Sequence, residues 1–276
     1  MLNESQIAVV GSGVMAEAMI KGLVGQGLLP AQRIIASGPR PERGAELAER
    51  YGIQVTGDNV AAARGRDIVV LSVKPQILGE VLQELGAAVI RPEALVLSIV
   101  AGATIGRIVK AIDHRAIVRV MPNTPAQIGM GMSVWTATPE TGEAQRAQAR
   151  TILAALGEEL YVDHEDYLDM ATALSGTGPA YVFLVMEALI DAGVHLGFSR
   201  RVSEQLVMQT MRGALEFARA SHRHPVELRN MVTSPGGTSA EALYQLEKGG
   251  LRTVISKAVW AAYQKSKFLG GLSHDR

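Results

Sequence analysis

Cysteine is absent from this chain of 276 residues, and so is any excess of charge of one sign. Without cysteine the chain has no disulfide, no thiolate metal site and no cysteine nucleophile. Basic and acidic residues number 27 each, and no dense basic run occurs, which argues against nucleic acid as the main partner. The six histidines form no metal-ligating set, so we expect no metal site.

Long apolar runs are also absent. The longest run, residues 180–186, is far shorter than the ~20 residues that a membrane helix needs. The apolar segment at residues 7–10 follows no basic region, so we see no signal peptide. We therefore expect a cytoplasmic protein that does not bind membranes. Hydrophobic residues make up 47% of the chain, enough for a sizeable core in one or two domains.

Apolar strands alternate with helices in the N-terminal part of the chain. This pattern indicates a parallel sheet that is covered on both faces, as in a Rossmann-type doubly wound domain. The predicted strands are residues 7–10, 33–37, 68–73, 94–100 and 116–120, and the predicted helices are 16–23, 42–51, 77–85 and 104–111.

The character of the chain changes near residue 165, after which we find no strand pattern. Residues 180–196 are apolar almost all round, so we expect this helix to be buried, partly by a second chain. The fold class is then α/β plus all-α, with a dinucleotide-binding domain at residues 1–165 and a helical dimerisation and substrate domain at 166–276. The predicted helices are 166–174, 180–196, 202–220, 225–231, 240–248 and 251–269, with a break at 175–179.

A glycine-rich turn joins the first strand to the first helix. Gly11, Gly13 and Ala16 match the G-x-G-x-x-G/A fingerprint, with Val14 and Met15 inside it. In such a turn the first glycine permits the tight bend, the second lets a pyrophosphate approach, and the small third residue packs helix on strand. The alternative is a plain tight turn, but its place at the first strand–helix junction favours dinucleotide binding.

The end of the second strand bears on cofactor choice. An NAD site usually has an acidic residue there, whereas this chain has Ser37 and Arg40, with Arg43 nearby. A hydroxyl and guanidinium groups suit a 2′-phosphate, so we favour NADPH, with NADH as the alternative. The alternative is that Arg40 and Arg43 are solvated residues at the start of a helix. Asn59 completes the candidate contacts on this side.

The carboxyl ends of the later strands should line the ligand crevice. Lys74 is either a catalytic acid, a phosphate contact or, as more common for such a lysine, a solvated cap. Asn123 and Thr124 either bind the nicotinamide or hold their own loop. The candidate cofactor residues of this group are Ser72, Val73, Lys74, Pro75, Ala101, Gly102, Asn123 and Thr124.

Residues 231–248, MVTSPGGTSAEALYQLEK, form the most informative segment of the chain. Hydroxyl residues surround a Pro-Gly-Gly turn, and a helix pattern follows. Thr238 and Glu241 match a capping box, and the first N–H groups of such a helix favour an anion. We expect a neutral, hydroxyl-lined pocket for a small carboxylate, formed by Ser234, Gly236, Gly237, Thr238 and Ser239, with Ser175 and Val232 as further contacts.

Almost the whole chain resembles the pyrroline-5-carboxylate reductase family. The resemblance rests on GSGVMA, SVKP, MPNTPA, LSGTGPAYVFLVMEALIDAGVHLG, HPVELRNMVTSPGGTSAEAL and LEKGG. It implies an N-terminal Rossmann domain and a C-terminal helical domain that interlocks with a second subunit, with dimers that often form a ring of five. It further implies reduction of the C=N bond of 1-pyrroline-5-carboxylate to L-proline by NAD(P)H, the last step of proline biosynthesis.

The resemblance also implies roles and departures for single residues. Ser239 stands where the family most often has Thr, whose hydroxyl contacts the substrate nitrogen, so we assign the catalytic donor to Ser239 and place Thr238 second. Thr177 replaces a common serine, and Gly38 replaces a serine found in members that bind the 2′-phosphate. This last departure weakens the preference for NADPH.

Two other functions are compatible with parts of the sequence. A β-hydroxyacid dehydrogenase needs a lysine at the substrate oxygen, and Lys257, Lys265 and Lys267 are loose candidates, none of which we expect in a glycine-rich pocket. A non-catalytic NADP sensor would bind cofactor but lack the hydroxyl pocket.

Overall fold

Eight strands form one sheet in a computed structural model of the chain, which describes residues 2–271. The strands are β1 (Ile7–Val10), β2 (Ile34–Ser37), β3 (Gln54–Thr56), β4 (Ile68–Leu71), β5 (Leu95–Ser98), β6 (Ile117–Met121), β7 (Gly131–Ala137) and β8 (Gly157–Tyr161). Their order is β3-β2-β1-β4-β5-β6-β7-β8. The Rossmann-type sheet predicted from the sequence is confirmed, and β3, β7 and β8 are additions to it.

One pair of strands departs from the predicted parallel arrangement, because β7 runs antiparallel to β6. Only a short 3₁₀ segment, Thr124–Ile128, separates these two strands. A parallel pair needs a crossover of a dozen or more residues, so this short connection imposes the reversal.

Twelve α-helices accompany the sheet in the described residues. They are α1 (Val14–Gly25), α2 (Pro41–Tyr51), α3 (Asn59–Ala63), α4 (Leu78–Val89), α5 (Ile105–Ile112), α6 (Glu143–Ala154), α7 (Tyr167–Ala171), α8 (Gly178–His195), α9 (Arg200–Ser221), α10 (Pro225–Met231), α11 (Thr238–Lys248) and α12 (Leu251–Gly271). Helix α2 ends at Gly52, as predicted, with φ 70°.

The two faces of the sheet carry separate cores. Ile7 and Val9 face the layer that contains α1 and α6, whereas Ala8 and Val10 face the layer of α3, α4 and α5. Both sets are fully buried, because side chains alternate across a strand and both faces are covered. This explains why the first strands are continuously apolar.

The chain separates into two compact units. Within the described residues, the first unit comprises residues 2–177 and 262–271, and the second comprises 178–261. The domain boundary that we placed after residue 165 stays a prediction. The contacts of α7 with β6 and β7 lie within the first unit.

The break predicted at residues 175–179 is wrong, because the chain stays helical there. A π-helical turn, Thr172–Gly176, leads directly to α8, and the N–H of Thr177 donates to the carbonyl of Thr172 at 2.8 Å. The hydroxyls of Thr172, Ser175 and Thr177 also donate to backbone carbonyls and stabilise the wide turn. Pro179 is tolerated because it lies in the first turn of α8.

The second unit buries few apolar side chains within its own chain. On α8 only Ile190 is buried, while Phe183 and Leu184 are 60% and 66% exposed. The helical stretch Tyr167–His195 is long and apolar enough to cross a membrane by length and composition. The sequence rule that counted uninterrupted apolar runs missed this stretch, because Glu187 and Asp191 interrupt it.

Substitution of Gly157 tests how closely β8 approaches β7 at the edge of the sheet. Its φ is 138°, and a Cβ at this position would lie 2.2 Å from the carbonyl oxygen of Gly131 on β7. We expect Gly157→Ala to lower the free energy of unfolding by at least about 2 kcal/mol, because backbone strain and overpacking add. Urea unfolding at one fixed protein concentration measures the change.

Gly25→Ala provides the matched control. Gly25 is an exposed helical residue at the end of α1, and a Cβ there meets no atom within 4 Å. This variant should be neutral or more stable by up to about 1 kcal/mol. Equal stability of the two variants would contradict the strain assigned to Gly157.

Candidate active site

The carboxyl ends of β1 and β4 meet where the strand order reverses, which is the usual position of a ligand crevice. Gly11 follows β1 with φ 105°, and a Cβ there would lie 2.5 Å from the carbonyl oxygen of Ser72. The N–H of Gly11 donates to the carbonyl of Ser37 at 3.0 Å, so this turn also joins β1 to β2. Only glycine fits this position.

The first turn of α1 is suited to an anion. Ala16 is fully buried against the sheet, whereas a Cβ at Gly13 would meet no atom within 4 Å. The N–H groups of Val14 and Met15 donate to no group among the residues that the structure describes. Free donors beside an open backbone fit the pyrophosphate of a dinucleotide.

The hydroxyl at the end of β2 has an internal partner. Ser37 is fully buried, and its Oγ donates to Oδ1 of Asn59 at 2.8 Å. The Asn59 amide in turn donates to Glu84 on α4 at 2.7 Å. These two candidate cofactor residues therefore connect β2, α3 and α4, and their polar atoms are engaged before any ligand binds.

The two arginines after β2 differ in whether the guanidinium group is bonded within the protein. Arg43 donates to the carbonyl of Ser12 at 3.2 Å, to Glu46 at 2.9 Å and to Glu17 on α1. Burial alone raises the pKa of Glu17, but hydrogen bonds from Arg43 and Tyr51 outweigh it and hold that pKa below its usual value. Arg43 is thus a structural link between α1 and α2.

Arg40, by contrast, is exposed, and its guanidinium has no hydrogen-bond or ion-pair partner within residues 2–271, while its backbone carbonyl accepts from the N–H of Gly44 at 3.2 Å. It lies at the N-terminal boundary of α2, so its guanidinium is free to bind a phosphate. Gly38 lies close to Ser12, since a Cβ at Gly38 would be 2.3 Å from the Ser12 Oγ. The serine expected in 2′-phosphate-binding members of the family does not fit here without movement of Ser12.

A groove of about 1190 Å³ opens beside the ends of β4 and β5. Pro75, Ala101 and Gly102 line it, as expected for crevice residues. Ser72 and Val73 are half-buried at the end of β4, and Lys74 is exposed. Arg107, Lys110 and Lys265 give the groove a positive lining, so its charge favours an anionic ligand.

Lys265 is the one of the three candidate lysines that lines this groove. Gly79, Gly102 and Gly106 are among the other lining residues. Its ammonium lies 5.0 Å from the ring centroid of Phe268, a cation–π distance.

Asn123 fixes the loop after β6. Its Nδ2 donates to the carbonyl of Ser175 at 3.1 Å, and its Oδ1 accepts from the N–H of Met132 at 2.9 Å. Of the two alternatives for Asn123, these contacts favour the structural one. Thr124 is exposed, and the Ser175 hydroxyl is bonded within its own helix.

In the second unit, residues 231–239 form a tight turn followed by a helix start. The N–H of Gly237 donates to the carbonyl of Ser234 at 3.0 Å, and Gly236 has φ 72°. Pro235 and Gly236 occupy the central positions that a type II turn prefers. Val232, beside this turn, is 66% exposed.

The predicted capping box at α11 is wrong. The helix is capped by Gly237, and Thr238 is already its first residue, so the spacing to Glu241 is one residue short. The Glu241 carboxylate instead accepts from Gln245 at 2.9 Å. Thr238 therefore makes no capping bond.

The start of α11 leaves donors free. Within the described chain, the N–H groups and hydroxyls of Thr238 and Ser239 have no partner, and neither has the Ser234 hydroxyl. The N–H of Gly237 is used by the turn, which removes it from the predicted carboxylate site. Two N–H groups and three hydroxyls on one turn suit a small carboxylate beside a second polar atom.

The first unit also contains partnered charged residues that we did not predict. Glu17 and Glu84 accept hydrogen bonds on the β2 side, and Arg119 on β6 forms an ion pair with Glu165, in which the arginine side chain is buried and that of Glu165 is 30% exposed. A lone arginine in the apolar strand IVRVM was the available signal, because a buried charge requires a partner. No group of three or more potential metal-ligating side chains occurs in residues 2–271.

Comparison with known proteins agrees with this geometry. The family described as pyrroline-5-carboxylate reductase dimerisation matches residues 165–269, and the one described as NADP oxidoreductase coenzyme F420-dependent matches residues 6–102. The pyrroline-5-carboxylate reductase of Pseudomonas aeruginosa is 41% identical over 96% of this chain and 97% of its own length.

Two solved structures are similar over nearly the whole chain. The pyrroline-5-carboxylate reductase of Coxiella burnetii is 37% identical, with a TM-score of 0.89 over 97% of this chain and 99% of its own. The pyrroline carboxylate reductase of Plasmodium falciparum, solved with NADP bound, is 32% identical, with a TM-score of 0.88 over 98% and 100%. With its glycine turn and its hydroxyl-rich helix start, the chain belongs to the pyrroline-5-carboxylate reductase family.

Proposed function

We propose that the start of α11 is the substrate site of an enzyme that reduces 1-pyrroline-5-carboxylate to L-proline with NAD(P)H. The observation that carries this proposal is the set of free N–H groups and hydroxyls at Thr238 and Ser239, directly after the Pro-Gly-Gly turn. The family to which the chain belongs has this reaction as its activity. The assay is oxidation of NADPH and of NADH, side by side, in the presence of pyrroline-5-carboxylate.

Different residues of the loop bind different groups of the substrate. The substrate carboxylate accepts from the N–H groups of Thr238 and Ser239, with the Ser234 hydroxyl beside them. The Ser239 hydroxyl donates to the ring nitrogen, which gains negative character as the C=N bond is reduced. NAD(P)H, when bound, would supply the hydride to the imine carbon, and the nitrogen would take up one proton from solvent, so that one C–H and one N–H bond replace the π bond. No residue has to act as a strong base, because orientation and one placed donor suffice.

The cofactor-binding residues of the first unit orient NAD(P)H and take no part in making or breaking bonds. The free N–H groups of Val14 and Met15 hold the pyrophosphate, and Gly13 leaves the backbone open to it. The crevice residues Pro75, Ala101 and Gly102 bound the nicotinamide pocket. Lys265 lines the same groove, but the dehydrogenase alternative lacks support, because the family of this chain reduces an imine and no alkoxide has to be protonated.

Ser239 is the residue to test first. We expect Ser239→Ala to lower the turnover number by roughly 10- to 1000-fold, since it removes a donor that strengthens in the transition state. The free energy of unfolding should barely change in this variant. Ser239→Thr keeps the hydroxyl and should keep the activity.

Thr238→Ala is the matched control for Ser239→Ala. Thr238 caps nothing, so this variant should be as stable as the parent and should lose less activity. If Thr238→Ala were inactive while Ser239→Ala kept the parent rate, the donor would lie one residue earlier than we propose.

The preference for NADPH over NADH rests on Arg40 alone, because Arg43 and Ser37 are engaged within the protein. We expect Arg40→Glu to reduce kcat/KM for NADPH by roughly 10-fold or more, as loss of a charged hydrogen bond does. The same constant for NADH should be nearly unchanged. Steady-state kinetics with both cofactors provides the measurement.

Arg43→Gln is the control for this cofactor test. It breaks the link to Glu17, so it should lower stability and affect both cofactors alike. Equal losses with NADPH and NADH in Arg40→Glu would refute the assignment of Arg40 to the 2′-phosphate.

Self-association follows from family membership, since the dimerisation family matches residues 165–269. We assign the exposed apolar side chains of α8 to the partner copy, and not to a membrane, and we infer a cytoplasmic dimer that assembles further into a ring of five. Balanced charge supports the absence of nucleic-acid binding.

The dimer is tested by charge insertion on α8. The protein should sediment as a dimer or larger at micromolar concentration, and Leu184→Glu should dissociate it, because Leu184 is 66% exposed in a single chain. Ala144→Glu adds the same charge at the exposed start of α6 and should leave the assembly intact. A stable and active monomer in analytical ultracentrifugation would rule out the shared interface.

A further inference from the structure

A buried arginine lies in the middle of an otherwise apolar strand. Arg119 on β6 has 5% of its side chain exposed, and its neighbours across the sheet are the neutral Ser98 and Thr136. Its Nη1 donates to Oε1 of Glu165 at 2.6 Å. A guanidinium buried to this degree requires an anionic partner, so the side chain of Glu165 is held in one place.

The same carboxylate oxygen has a second partner. Oε1 of Glu165 accepts from the backbone N–H of Ile105 at 2.7 Å, and Ile105 is the first residue of α5. One oxygen therefore joins β6, the N-terminus of α5 and the segment that leads into α7. A negative charge at a helix N-terminus is also favoured by the helix dipole.

The loop that this oxygen holds contains two crevice residues. Ala101 and Gly102 connect β5 to α5, and both line the groove. The loop is closed by a bond from the N–H of Ala103 to the carbonyl of Val100 at 3.2 Å, and Thr104 caps α5 through its hydroxyl. Glu165 holds the C-terminal end of this short loop from outside its own sequence, and Leu269 and Gly270 of α12 lie within 4 Å of the Cβ position of Gly102.

We propose that Arg119 and Glu165 are positioning residues that set the Ala101–Gly102 loop against the nicotinamide. Neither touches the substrate. Arg119 orients Glu165, Glu165 holds the N-terminus of α5, and α5 holds the loop. This inference rests on the proposed function for its kinetic consequence, but the mechanical link from Glu165 to the loop is independent of it.

The first measurement is kinetic. We expect Glu165→Ala to lower kcat by about 10- to 100-fold, because a small displacement of the bound ring costs that much rate. The dissociation constant of NADPH, measured by fluorescence, should change less than about 3-fold, since the pyrophosphate contacts at α1 are distant in sequence and untouched.

Glu165→Gln keeps an acceptor for Ile105 and should recover part of the rate. Arg119→Lys keeps the charge and should retain more activity than Arg119→Met.

The second measurement needs neither substrate nor cofactor. Hydrogen exchange in peptides covering residues 102–108 should be faster in Glu165→Ala than in the parent. The control is Glu159→Ala, which removes another carboxylate that accepts from two donors, Trp135 and Arg150, on the far side of the sheet. The control should be destabilised but should keep the parent's kcat and its exchange at residues 102–108.

The outcomes distinguish the positioning role of Glu165 from the proposed function. Unchanged exchange at residues 102–108 in Glu165→Ala overturns the positioning inference, whatever the enzyme reduces. Equal loss of kcat in Glu159→Ala also overturns it, because the effect would then be one of general stability. Faster exchange in Glu165→Ala, combined with a parent protein that does not oxidise NADPH in the presence of pyrroline-5-carboxylate, supports the link and refutes the proposed function.

Discussion

The close approach of the β1 and β4 strand ends is the constraint on which the cofactor half of this enzyme depends. At Gly11 the backbone of one strand end passes so near the Ser72 carbonyl that no side chain fits. That approach places the start of α1 over the point where strand order reverses, so its free N–H groups face the crevice. The polar contacts around it, from Ser37 to Asn59 and from Arg43 to Glu17, hold β2, α1 and α2 in register with this turn.

The second unit differs from the first in how few of its apolar side chains are buried within one chain. Its helices carry large apolar side chains that remain exposed in one chain, and one short turn in it carries free donors. The dimerisation family matches residues 165–269, which include this turn. Under the proposed function, the substrate turn and the dimerisation surface therefore share one segment of the chain.

The sequence predicted the strands that are continuously apolar and missed those that contain polar or exposed residues. Strands β1, β4 and β5 were found, whereas β3 is mostly exposed, β8 alternates between half-buried and exposed residues, and β7 is largely buried but contains Ser133 and Thr136. The capping box failed by one residue, because spacing alone does not distinguish a glycine cap from a threonine cap. Ser37, Asn59 and Asn123 were identified as ligand contacts, yet their partners lie far along the chain, and no local pattern reveals such bonds.

The contact between Gly38 and Ser12 makes two distant positions of the chain interdependent. A serine at position 38 has to displace the Ser12 hydroxyl, which lies 2.3 Å from where its Cβ would be. Because the contacting atom is the end of the Ser12 side chain, a substitution at position 38 changes the rotamers open to Ser12, so substitutions at the two positions should not be additive.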